Sequence, residues 1–229
     1  AFPYIDNYNY HKGMKGIIQE LKVLLKTKSI GTNSDRALLL DFQATLETKP
    51  EKAIKLEKDA LAQIENITAD NARLVSNLHA NLGGLYRMNG HPDLAREHME
   101  KSISLLDQFN LLHINDSIPQ IANYAMFLTE QQEPERGISE LQKLSGIIKE
   151  YHSDDCLDYA KVQETLGTIY LMTANLPQAK THFKRAFKIY EKIWADEPEM
   201  IEAKYQEIQE LYPQIGFCIG KNLSGLLTK

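Results

Sequence analysis

The fold is decided by one stretch, NLGGLYRMNGHPDLAREHMEKS, which runs from Asn81 to Ser102. Its apolar residues recur at helical spacing on both sides of a polar turn, NGHPD, in which glycine ends one helix and proline begins the next. Gly83 and Gly84 stand inside the first helical pattern, although a glycine within a helix costs about 1 kcal/mol relative to alanine. These two glycines therefore belong either to a ligand loop or to positions of close packing.

The same unit recurs along the chain with a period of 42 residues. A proline stands at the start of the second helix of each copy, and a small residue follows it in register. The prolines are Pro50, Pro92, Pro134 and Pro177, and the small residues are Ala53, Ala95, Gly137 and Ala179. Because a repeat of this length indicates stacked supersecondary units, the sequence predicts four helix-turn-helix repeats. Their ranges are residues 34–75, 76–117, 118–159 and 160–201.

The flanking segments are predicted to cap the two ends of this array. Residues 1–33 combine a leader with an amphipathic helix, and residues 202–229 combine a second capping helix with a tail. The amphipathic helix is interpreted as packing on the first repeat, and a membrane surface or a partner is the alternative. Since solenoids need atypical terminal elements, the predicted fold class is all-α, a right-handed α-solenoid, or superhelix, of stacked repeats with helical caps.

The composition argues against several classes of protein. The chain has 229 residues, and its net charge of -5 argues against a dedicated nucleic-acid binder. No run reaches the roughly 18 consecutive apolar residues of a membrane helix. Cys156 and Cys218 are far apart, which favours a reducing compartment, so the expected location is cytoplasmic. We expect no nucleic acid and no membrane among the partners, and a homo-oligomer is compatible with the composition.

No motif has the spacing of a cofactor, metal or catalytic site. GFCIGKN is one residue shorter than a phosphate-binding loop and has Asn222 where serine or threonine is needed. HSDDC, residues 152–156, has metal-binding residue types but lies in a predicted loop, where helix capping explains it better. His79 and His98 fall near the seam between two helices, where packing is the simpler explanation. We therefore expect no cofactor, no metal and no enzymatic activity.

Two copies of the unit resemble the tetratricopeptide repeat. LGGLYRMNGHPDLAREHMEKS and LGTIYLMTANLPQAKTHFKRA fit the pattern L-G-x2-Y, then A-x3-F or another large residue, then a small residue. The first and third copies are degenerate, and Glu57 replaces the large residue of the second helix in the first copy. The period exceeds the usual length of about 34 residues. It resembles the longer repeats of kinesin-light-chain-like proteins.

The resemblance implies a concave groove, lined by the first helix of each repeat, that binds a partner segment. The residues carried over to this groove are Asn77, Asn81, Gly84, Arg87, Met88, Asn123, Met126, Glu164 and Thr168. Asn81 and Asn123 occupy the same position in consecutive repeats. Because an amide both donates and accepts hydrogen bonds, each asparagine either binds a peptide backbone or satisfies a neighbouring helix.

The resemblance also separates the two glycines. Gly83 matches the small position where the two helices of a repeat meet, so its missing side chain permits close packing. Gly84 falls on the groove side, where it leaves room for a bound backbone. We therefore expect one glycine of the pair to allow close helix packing and the other to make room in the groove.

The predicted function is a scaffold that binds a protein or an extended peptide in the groove. The alternative is a sensing arm of a larger signalling protein, such as a transcription regulator or switch ATPase, whose effector domain lies elsewhere. The missing initiator methionine, interpreted as the mark of an excised or processed piece, and an aromatic-rich leader motivate this alternative. The aromatic residues of the leader are Phe2, Tyr4, Tyr8 and Tyr10.

Overall fold

The computed structural model describes residues 16–20, 23 and 31–211 of the chain. The predicted leader, most of the amphipathic helix and the predicted C-terminal tail lie outside the described residues, although residues 16–20 are helical. The helices from residue 31 onward are α1 Asn33–Thr45, α2 Pro50–Leu61, α3 Ala72–Met88, α4 Pro92–Gln108, α5 Ser117–Glu130, α6 Pro134–Tyr151, α7 Leu157–Met172, α8 Leu176–Ile193 and α9 Pro198–Leu211. The described residues contain no strand, so the all-α class is confirmed.

Local sequence explains where the helices begin. Thr32 and Asp35 form a reciprocal capping box at the start of α1, in which the Asp35 carboxylate accepts a hydrogen bond from the Thr32 backbone at 2.6 Å. This bond lowers the pKa of Asp35 below its ordinary value. Proline occupies the first turn of α2, α4, α6 and α8, where a backbone N–H would have no partner inside the helix. The recurring prolines therefore mark the starts of these four helices.

The chain divides into two compact units, Ala1–Leu111 and Leu112–Lys229. The first unit contains two helical hairpins, α1–α2 and α3–α4, and the second contains α5–α6 and α7–α8 followed by α9. Within the first unit α1 contacts α3, and within the second α5 contacts α7. In each unit, therefore, the first helix of one hairpin lies beside the first helix of the next.

The turns inside three of the hairpins share one backbone geometry although a different residue stands at the key position of each. Gly90, Gln132 and Ala174 are 42 residues apart, and all three have positive φ, at 72°, 65° and 58°. The following backbone N–H bonds back to the helix each time, as in His91 N to Tyr86 O at 2.9 Å. This is the Schellman ending, which favours glycine because a side chain resists that conformation. Position in the repeat overrides residue preference at the second and third of these turns.

A small residue facing a large one closes the seam between the two helices of a hairpin. A Cβ added to Gly83 would lie 2.5 Å from Met99 Cγ, and one added to Gly167 would lie 2.9 Å from Phe183 Cδ2. A Cβ added to Gly84 would meet nothing within 4 Å. The prediction that Gly83 permits close packing is thus confirmed.

Candidate peptide-binding surfaces

In the first unit, the predicted groove residues lie along α3. Asn77, Asn81, Gly84 and Met88 are spaced so that they follow one side of the helix. The Met88 side chain is 80% exposed, and the space over Gly84 is open. Asn77 and Arg87, by contrast, are half-buried. The structure thus brings these side chains together on a face that adjoins α1.

In the second unit, the predicted groove residues lie on the neighbouring helices α5 and α7. Asn123 is exposed, and its side chain has no hydrogen-bond partner among the described residues. Met126, Glu164 and Thr168 are half-buried, and the Thr168 hydroxyl donates to the Glu164 backbone oxygen at 3.1 Å. The two helices contact each other, so these side chains also form one surface.

Glu164 has intramolecular partners that the sequence did not predict. Its carboxylate accepts a hydrogen bond from the Tyr190 hydroxyl at 2.6 Å and pairs with the Lys204 ammonium at 2.9 Å. Burial lowers the pKa of Lys204, but the carboxylates of Glu164 and Glu207 outweigh burial and raise it overall. Burial and Glu164 together raise the pKa of Tyr190. Glu164 thus links α7 to α8 and to α9.

The two asparagines that share a repeat position differ in their contacts. Asn81 Nδ2 donates to Asp41 Oδ1 at 2.8 Å and to Glu57 Oε1 at 3.2 Å, whereas Asn123 makes no side-chain hydrogen bond to the part of the chain that the structure describes. Asn81 therefore satisfies neighbouring helices, which is one of the two alternatives left open by the sequence. Its own side chain remains exposed at the surface.

The carboxyl groups that Asn81 contacts have unusual electrostatics. Glu57 is 2% exposed, and burial together with the charge of Asp41 raises its pKa to about 9. Burial also raises the pKa of Asp41, against the hydrogen bonds from Glu57 and Asn81 that lower it. Because both pKa values are raised, the two acids are expected to share one proton at neutral pH.

Stacked rings form a second layer of the seam in two hairpins. In the α3–α4 hairpin, His79 Nδ1 and His98 Nδ1 are 2.9 Å apart, and His98 stacks on Tyr86. Burial, then the neighbouring His98 and Lys101, lowers the pKa of His79 to about 4. The pair lines a surface cavity of about 510 Å³. Since each imidazole is the hydrogen-bond partner of the other, the packing interpretation of these histidines accounts for their placement.

The α7–α8 hairpin repeats this layer 84 residues later with one change. His182 stacks on Tyr170, and its Nδ1 lies 2.9 Å from Gln163 Oε1. Gln163 is buried and occupies the position of His79. An amide thus replaces an imidazole as the partner of the same histidine.

The HSDDC segment also has structural roles. His152 Nε2 lies 2.9 Å from the backbone oxygen of His113. Cys156 caps α7, because its sulfur accepts a hydrogen bond from Tyr159 N at 3.4 Å. These contacts agree with the helix-capping interpretation of the segment.

Comparisons with known proteins identify the repeats. Residues 117–192 match the family model of the tetratricopeptide repeat. The structure is similar to that of BtubC (BKLC) from P. vanneervenii, with a TM-score of 0.69, 18% identity, and coverage of 93% of this chain and 85% of that one. It is also similar to a putative kinesin light chain with nearly identical repeats from Podosopora anserina, with a TM-score of 0.65, 13% identity, and coverage of 82% and 92%.

A third similar structure is that of MamA, with a TM-score of 0.53, 16% identity, and coverage of 84% of this chain and 98% of that one. No curated protein sequence matches the chain significantly. The fold is therefore an all-α solenoid similar to those of kinesin-light-chain repeat proteins, and its residues 117–192 match the tetratricopeptide model. Solenoids of this kind generally serve as scaffolds for protein–protein interaction. No helix within the described part of the chain is long and apolar enough to span a membrane.

Proposed function

Because the fold is similar to that of tetratricopeptide solenoids, we propose that each unit binds an extended partner segment along the first helices of its own hairpins. The observation that carries this proposal is the exposed face of α3, where an 80% exposed Met88 lies one turn beyond the open space over Gly84. A methionine side chain is flexible and polarizable, so an exposed one beside open space can adapt to varied partner surfaces.

The polar residues supply the complementary chemistry. In the second unit the exposed Asn123 amide can donate to and accept from the backbone of an extended segment, as in other cases of main-chain recognition. Arg87, near the end of α3, provides a guanidinium for a carboxylate. Glu164 contributes less to binding than the sequence suggested, because Lys204 and Tyr190 already occupy its carboxylate. The sensing-arm alternative stays a prediction.

The proposal is tested by filling the surface at a position where the fold tolerates it. Peptides that bind the parent chain would be selected from a library of random 12-residue sequences displayed on phage. Their affinities for the parent chain and for the variant Gly84→Phe would then be compared. The control is Gly146→Phe on α6, because an added Cβ meets nothing within 4 Å at either glycine. We expect Gly84→Phe to weaken binding at least tenfold and Gly146→Phe to leave it unchanged. Equal binding by both variants would show that this face of α3 is not the site.

A further inference from the structure

The first repeat departs from the other three at one pair of positions in the seam. In the second and fourth repeats these positions hold a glycine against a large apolar side chain, and the third has an alanine and a leucine there, both fully buried. The pairs are Gly83 with Met99, Ala125 with Leu141, and Gly167 with Phe183. The first repeat has Asp41 and Glu57 at the same positions, 42 residues before the pair of the second repeat. Two acids therefore stand where an apolar contact would be sufficient for folding.

The Glu57 carboxyl has one oxygen without a donor. Oε1 accepts from Asn81 Nδ2, whereas Oε2 is buried and no N–H or hydroxyl group of the described residues donates to it. Its neighbour Asp41, which hydrogen-bonds Glu57, is also an acid, so only a shared proton can join the two. Buried polar atoms in proteins nearly always have a partner. Without that shared proton, the two carboxylates would have more acceptor oxygens than the described residues supply donors.

The amide nitrogen of Asn81 marks the place where a donor fits. It lies 2.8 Å from Asp41 Oδ1 and 3.2 Å from Glu57 Oε1, so one nitrogen bridges both carboxyl groups. Asn81 is exposed, and a rotation of its side chain would open this place without disturbing the buried residues of the seam. Access to the acids is therefore from the α3 face that includes Gly84 and Met88.

We propose that the Asp41–Glu57 pair is a recognition site for a cationic nitrogen, the ammonium or guanidinium group of a lysine or arginine in the bound segment, which takes the place of Asn81 Nδ2. This inference rests on the proposed function, because the cation belongs to the segment that lies along α3. The specificity arises from charge: two carboxylates around one cation are neutralised, whereas a neutral side chain leaves the acceptors unmatched.

Charge balance makes the binding proton-linked. Below a pKa of about 9 the acid pair holds a proton, and a cation that pairs with both carboxylates releases that proton to the buffer. The titratable group that acts on Glu57 is Asp41 from α1, and α3 contributes the neutral Asn81 amide. Affinity for a cation is therefore expected to rise between pH 6 and 9.

The test uses small probes, so that its outcome does not depend on a partner protein. Nα-acetyl-lysine N-methylamide, which keeps its side-chain ammonium group, would be titrated into the chain labelled with carbon-13 and nitrogen-15. Nα-acetyl-norleucine N-methylamide is the uncharged control of similar shape, and spermidine is a small free polyamine. The signals are the carboxyl carbon of Glu57 and the side-chain amide of Asn81. Glu57→Gln keeps the size and hydrogen bonds of the side chain but cannot ionise, and Asp59→Asn is the control, because Asp59 is exposed on the same helix.

We expect the lysine probe, and not the norleucine probe, to shift the Glu57 carboxyl signal toward the ionised form. We also expect Glu57→Gln to lose at least tenfold in affinity and Asp59→Asn to lose none. Equal responses to both amino-acid probes, or unchanged lysine binding by Glu57→Gln, would overturn the site and leave the pair as an internal proton-sharing contact. A response to spermidine alone would overturn the assignment to a partner side chain. Cation binding without any selected peptide would instead contradict the proposed function.

Discussion

The seams of the first and fourth hairpins solve the same packing problem with opposite chemistry. In the α7–α8 hairpin, the Phe183 ring lies directly against Gly167, and the contact is closed and apolar. In the α1–α2 hairpin, Asp41 and Glu57 occupy the equivalent positions and remain connected to the surface through Asn81. The repeat thus fixes the backbone geometry of a seam and leaves its chemistry open. The fourth seam has an apolar contact at these positions, whereas the first has two ionisable side chains.

The largest effect is expected from emptying the apolar seam. Phe183→Ala removes a fully buried ring and leaves a cavity, so the free energy of unfolding should fall by about 3–5 kcal/mol. Urea unfolding followed by circular dichroism measures it. Glu191→Ala, exposed on the same helix, is the control and should change stability by less than about 0.5 kcal/mol. A loss for Phe183→Ala as small as the control's would mean that this seam is not a principal source of stability.

Converting the first seam to the composition of the third should stabilise the chain. Asp41→Ala with Glu57→Leu reproduces the Ala125 and Leu141 pair, and the free energy of unfolding should rise by about 1–4 kcal/mol. The gain should grow with pH. Since the folded pKa of Glu57, about 9, exceeds the unfolded value of about 4.3, the parent chain loses stability as pH rises between them. Unfolding at pH 6 and 8.5 measures both effects, and a double variant less stable than the parent would contradict the interpretation.

The adjacent glycines of α3 should respond in opposite directions. Gly83→Ala places a Cβ 2.5 Å from Met99 Cγ, with the Met99 and Ala95 backbones also close, and should cost about 1–3 kcal/mol. Gly84→Ala enters open space and should gain about 0.5–1 kcal/mol from helix propensity. The two variants are each other's control in one urea titration. Changes of the same sign would mean that Gly83 does not mark a close seam.

The smallest effect concerns the ring layer of the seam. The pKa of His79, about 4, lies below the unfolded value of about 6.5, so the unfolded chain binds more protons between these values and stability falls as pH drops through this range. His79→Gln reproduces Gln163 of the fourth hairpin. On acidification from pH 7 to pH 5, its free energy of unfolding should fall by about 1 kcal/mol less than that of the parent, after allowance for solvent screening.

Thermal unfolding at pH 7 and pH 5 measures this difference. His91→Gln, an exposed histidine at the start of α4, serves as control and should follow the parent. If His79→Gln loses as much stability as the parent on acidification, the imidazole pair is not the origin of the pH dependence.

Much of the fold was predictable because local sequence signals recur at the spacing of the repeat. Prolines mark helix starts and Gly83 marks the seam. Both residue types act through local backbone geometry, so their role can be recognised from their position in the aligned repeats. The turn at Ala174 was less visible, because its positive φ is imposed by the repeat rather than by the residue. Sequence identified Glu57 as a departure from the pattern, but its partner Asp41 appears only when the seam positions of all four repeats are compared.

The candidate site was less predictable than the fold. The resemblance to the tetratricopeptide repeat assigned Met88 and Asn123 to the groove, and both side chains are exposed in the structure. The partners of Glu164 do not follow, because the register of α9 against α7 depends on tertiary packing outside the repeat pattern. Lys204 in the predicted capping helix was the one available signal, and a lysine on a helix has no fixed partner in sequence.

The side-by-side placement of α5 and α7 has a consequence for the length of a ligand. Neighbouring packed helices lie about 8–10 Å apart, so two of them present a span of roughly 20 Å. An extended chain advances about 3.3 Å per residue, and roughly six residues would therefore cross both helices. The partner segment for one unit is expected to be a short linear motif of this length, within reach of a flexible tail or loop of another protein.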